Sequence, residues 1–125
     1  MPLTSILPHS KLNICVFCAA NDWPEKYTKS ITEFAQLLAQ RGHQLIYGGS
    51  DSGLMKLVAT TVQSEGGKVV GVPFTSLVEG IYEAADEIVM TSTIAERKAV
   101  MLSRCDALVV SSYLFSQHLV SLQRS

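Results

Sequence analysis

Five short apolar runs punctuate this chain: "LNICVFCAA", "HQLIYGG", "KVVGVP", "EIVMTS" and "DALVVSS". Between most of them, apolar residues recur every three or four positions, the period of a helix with one buried face. Tyr27, Ile31, Phe34, Ala35 and Leu38 form one such stripe, which Asn21 or Asp22 can cap, with Pro24 in the first turn and Gly42 closing it. Leu54, Leu57, Val58, Thr61 and Val62 form a second, opened by Ser52 and ended by Gly66 and Gly67. A third, "TIAERKAVMLSRC", begins with Thr93 and Glu96 at capping-box spacing. The stretch "FTSLVEGIYEAAD" reads as a loop with a short helical turn, and the tail "YLFSQHLVSLQRS" as a weakly helical segment. Strands alternating with helices at this interval predict right-handed βαβ units. The expected fold is α/β, a Rossmann-like doubly wound parallel sheet of about five strands. Residues 1–125 read as a single domain, with 1–11 a loose leader and 111–125 an atypical tail.

Bulk properties narrow the functions open to such a sheet. With 47 % hydrophobic residues, 125 residues suffice for one core. The formal charge of −1 comes from ten basic and eleven acidic residues spread along the chain, so nucleic acid is not an expected partner. No apolar stretch approaches the roughly 20 residues that cross a bilayer, and the first ten residues lack the pattern of a signal peptide. A cytoplasmic protein without a membrane partner is expected. Cys15 and Cys18 spell C-x-x-C, yet side chains three apart on a strand point to opposite faces. We read them as structural, and no Cys/His set elsewhere has zinc-site spacing, so no metal site is expected.

In a doubly wound sheet, ligands bind beyond the carboxyl ends of the strands, where strand order reverses. Gly48 and Gly49 follow the second apolar run at that edge, and Gly53 opens the next helix. Glycines there allow close backbone approach to a ligand, beside a helix N-terminus suited to an anion; equally, they permit a tight turn. The sequence Gly48-Gly49-Ser50-Asp51-Ser52-Gly53 is neither G-x-G-x-x-G, nor a P-loop, nor a G-x-S-x-G elbow. On the same edge, Glu96, Arg97 and Lys98 start the helix after the fourth run. Two cations there oppose the helix dipole, which points either to an anionic partner or to an ordinary solvated face.

Taken in order, "CVFCAA", "YGGSDSGLM", "VVGV", "AERKAVM" and "DALVV" resemble the LONELY GUY family of cytokinin riboside 5′-monophosphate phosphoribohydrolases, often labelled lysine decarboxylase-like. The resemblance spans residues 12–110, and its most specific parts are GG-x-x-x-GLM and ERK-x-x-M. It implies hydrolysis of the N-glycosidic bond of a nucleoside 5′-monophosphate, releasing free base and ribose 5-phosphate without a cofactor. The substrate would be AMP or a cytokinin riboside monophosphate, and the protein a homodimer whose interface helps complete the site. Carried across, Arg97 is the catalytic residue. Glu79, Arg97, Lys98, Gly48, Gly49, Gly53 and Met101 are the substrate-binding ones.

Beyond Val110 the resemblance stops. The family strand matching "DALVV" runs into P-G-G-x-G-T-x-x-E, a phosphate-wrapping loop that carries the catalytic carboxylate. Here residues 111–125 contain no glycine, proline or acidic residue. The C-terminal part therefore reads as replaced or truncated, and hydrolysis is expected to be severely impaired. The alternative is a non-catalytic nucleotide-binding or dimerising module.

Overall fold

The computed structural model describes residues 11–18, 25–76 and 80–111. The elements follow the alternation read from the sequence: β1 (Asn13–Cys18), α1 (Glu25–Gln40), β2 (Gln44–Tyr47), α2 (Gly53–Ser64), β3 (Lys68–Gly71), β4 (Glu87–Ile88), α3 (Ile94–Arg104) and β5 (Ala107–Ser111). All five strands lie in one sheet of order β4-β3-β2-β1-β5, and every pairing is parallel. The chain steps outward from β1 to β4, then returns through α3 to place β5 on the other side of β1. Strand order thus reverses at β1.

Side chains alternate across the sheet, and this sorts the core into two layers. Val16, Leu45, Tyr47 and Val69 face α1 and α2, packing with Ile31, Ala35, Leu38, Leu54, Val58 and Val62. Cys15, Ile46, Val70 and Val72 face the other way, onto Met101 of α3. Strands covered on both faces need apolar residues at consecutive positions, which is why these runs lack an apolar–polar alternation. Cys15 and Cys18 accordingly belong to opposite layers, and both are free thiols.

The fourth strand is shorter than "EIVMTS" suggested. Only Glu87 and Ile88 pair with β3, and both are exposed. Pro73 has no N–H to continue the ladder. Its carbonyl still accepts from Thr91 N (3.0 Å) and Thr91 Oγ1 (2.8 Å), and Phe74 pairs with Thr91 as an isolated parallel bridge. The edge is guarded by charge: Arg104 grips Glu87 bidentately at 3.0 and 2.9 Å.

The helix starts are partly as expected. Thr93 caps α3, its Oγ1 accepting from Glu96 N at 3.1 Å, while Glu96 Oε2 accepts from Ser92 N at 3.2 Å. The reciprocal bond is shifted one residue from a strict capping box. Ser52 occupies the cap position of α2 with extended backbone, but its side chain makes no capping bond. The caps expected at Asn21, Asp22 and Pro24, the centre of the "FTSLVEGIYEAAD" loop and the tail after Ser111 lie outside the described residues. No helix among the described residues is long and apolar enough to cross a membrane.

Candidate functional site

Beyond the carboxyl ends of β1 and β2, at the strand reversal, lies a cavity of about 110 Å³. Phe17 and Cys18 of β1, Gly48 and Met55 form one side of it. Ile94, Arg97 and Lys98 from the first turns of α3 form the other. Two of these residues are cations and none is a carboxylate, so the site favours an anion. A larger cavity, about 150 Å³, opens at the opposite edge among Lys11, His43 and Lys68. There the carbonyl ends of α1 and α2 offset part of the charge of Lys11 and Lys68, so the reversal point, beside the N-terminus of α3, is the better candidate.

Arg97 is the centre of the arrangement. Its guanidinium lies over the bare Cα of Gly48, and a Cβ built there would overlap Nη2. Nη2 also donates to Met55 Sδ at 3.6 Å, and Cζ sits 5.3 Å from the centroid of the Phe74 ring. The close approach expected of a ligand at Gly48 is thus made by the arginine itself. Gly49 has a separate reason to be glycine. Its φ is +81°, and a Cβ would meet the ring and backbone nitrogen of Pro73 at 2.8 Å. The loop is stapled down by Tyr82 N donating to Gly49 O at 2.9 Å and Asp51 N to Gly80 O at 3.2 Å.

The remaining candidates divide. Lys98 is exposed beside Arg97 at the cavity, and Gly53 is the first residue of α2. Met101 is not in the crevice: it is 1 % exposed and packs against Cys15, Ile46, Val70 and Val72. It shares the helix face of Arg97, one turn on, but at its level that face meets the sheet, whereas Arg97 reaches past the strand ends. Glu79 lies outside the described residues. Burial pushes the Cys18 thiol up to about 12, although the Arg97 charge pulls the other way. It therefore stays a neutral thiol at the cavity wall. Sequence reasoning missed Phe74, a single aromatic in a loop that carries no pattern. Met55 was visible only as part of the GLM motif.

A five-stranded parallel sheet wound on both faces, with two cations at the point where strand order reverses, defines a Rossmann-like α/β protein. Residues 11–113 match the model of the SLOG cluster4 family. The chain belongs to that family and to its LONELY GUY proteins. It is 37 % identical over 99 residues to a probable cytokinin riboside 5′-monophosphate phosphoribohydrolase of Oryza sativa subsp. japonica, covering 77 % of this chain and 44 % of that one. It is 35 % identical over 99 residues to the cytokinin riboside 5′-monophosphate phosphoribohydrolase of Mycobacterium tuberculosis, covering 78 % of this chain and 53 % of that one. The chain thus spans about half the length of these relatives. Among solved structures, the molybdenum cofactor binding protein of Rippkaea orientalis superposes with a TM-score of 0.72 at 19 % identity, covering 82 % of this chain and 63 % of that one. At that identity the likeness shows the fold.

Proposed function

We propose that this chain binds nucleoside 5′-monophosphates, AMP or a cytokinin riboside monophosphate, as a phosphoribohydrolase-like protein whose hydrolytic turnover is severely impaired. The observation that carries the reading is the guanidinium of Arg97, held over Gly48 at the mouth of the crevice beyond β1 and β2. A guanidinium presents paired N–H donors that match a phosphate bidentately. Lys98 adds a second positive charge at the same cavity. Cleaving the N-glycosidic bond builds positive charge on the ribose, which a carboxylate must stabilise while water is activated. Glu79 is our candidate for substrate contact, by its match to the family glutamate. The names of the relatives support this assignment at the level of the family.

One observation favours a second reading, a nucleotide-binding module without turnover: no carboxylate lines the cavity among the described residues, and residues 111–125 contain none. Incubating the protein with AMP and with isopentenyladenosine 5′-monophosphate separates the two. Release of free base that Arg97→Ala abolishes supports the hydrolase; calorimetric binding without release supports the module. Absence of both in a folded sample rejects the nucleotide reading. We further propose a homodimer, supported by half-exposed Met90, Ile94 and Leu102 around α3, and a cytoplasmic setting, consistent with free Cys15, Cys18 and Cys105.

A further inference from the structure

We infer that Phe74 and Met55 are positioning residues for Arg97, an aromatic–sulfur clamp that fixes its guanidinium over Gly48. The inference rests on the nucleotide reading only for its effect on binding; the clamp itself is a matter of geometry. Three separate elements converge on one planar group. The Phe74 ring lies 5.3 Å from Cζ, Met55 Sδ accepts from Nη2 at 3.6 Å, and Gly48 leaves the space that the group fills.

Each contact suits the chemistry of an arginine. The negative face of an aromatic ring attracts a cation, and more strongly where water is partly excluded. Arg97 is half-buried, so this condition is met. Thioether sulfur is a weak acceptor, able to orient an N–H without competing with a phosphate for it. Phe74 is itself held: Thr75 N donates to Thr91 O at 3.0 Å, and Thr91 N to Pro73 O at 3.0 Å. The bridge that carries Phe74 ends two residues before the cap of α3, so ring and arginine are tied to the same corner of the fold. Met55 lines the cavity and Phe74 does not. Phe74 therefore acts through Arg97, lowering the cost of ordering a long side chain when an anion binds.

The test uses the full chain with AMP as probe. Wild type, Phe74→Leu, Phe74→Tyr, Arg97→Ala and the Phe74→Leu/Arg97→Ala double variant are compared by calorimetry. The Arg97 Nε–Hε resonance is followed by NMR without ligand. Phe74→Leu is expected to weaken AMP binding roughly fivefold. It should also shift the Arg97 Hε signal downfield as ring-current shielding is lost, and Phe74→Tyr should restore both. In the Arg97→Ala background, Phe74→Leu should change nothing further. Met55→Leu, which keeps the volume and removes the acceptor, should weaken binding less than Phe74→Leu. An unmoved Arg97 resonance in Phe74→Leu overturns the clamp, as does an equal loss of affinity with and without Arg97. If wild type binds no AMP, the nucleotide reading fails while the resonance still decides the clamp.

Discussion

Gly48 and Gly49 stand side by side in sequence yet owe their identity to different physical demands. At Gly48 the backbone is ordinary and the space above Cα is taken by the Arg97 guanidinium. At Gly49 the backbone is left-handed and Pro73 closes the space. Their alanine variants should therefore separate function from stability. Gly48→Ala should leave the unfolding midpoint nearly unchanged, because the group in its way is the flexible end of a side chain. It should reduce AMP affinity to the level of Arg97→Ala, as read by calorimetry. Gly49→Ala meets rigid backbone and a disfavoured φ, and should cost about 2 kcal/mol or more by urea titration. The sequence shows that a glycine pair follows a strand. It does not show what fills the space beside each one, since both Pro73 and Arg97 arrive from distant segments.

The helices and strands differ in how openly the sequence announces them. α3 carries its start in plain view, because the Thr93–Glu96 spacing is a local signal that local hydrogen bonds satisfy. Removing it gives a clean measurement: Thr93→Ala should cost about 1 kcal/mol, lowering the melting temperature by about 4 °C. If the cap also holds the first turn of α3 against the crevice, AMP affinity should fall alongside. β4 is the opposite case. "EIVMTS" has the residues of a strand throughout, but Pro73 in the neighbouring segment interrupts the ladder after Gly71. A strand's length depends on its partner, and no reading of its own residues supplies that. Met101 shows the same limit on a helix. Its spacing from Arg97 puts both on one face, and only the height of the sheet edge separates a core residue from a crevice residue.

At the scale of the molecule, winding the chain about β1 buries both faces of the strands and thereby fixes how the protein responds to pH. The reversal of strand order could be anticipated from βαβ alternation, because right-handed crossovers restrict the topologies available. What alternation leaves unstated is the consequence for the thiols. Cys15 and Cys18 lie in opposite layers, and burial pushes both up to about 12 from an ordinary value near 9. Cys105 beside Cys15 adds to that rise. Burial raises the Tyr47 phenol too. In each case the folded state keeps its proton when the unfolded chain has released it. The unfolded state then binds fewer protons, so unfolding becomes easier as pH rises. The stabilising effect of these neutral groups is complete below about pH 9 and is lost progressively towards pH 12. Urea midpoints measured across that range should fall steadily, and more shallowly in Cys15→Ala and Cys18→Ala. Equal slopes in wild type and both variants would mean that neither thiol is shielded as the two-layer packing requires.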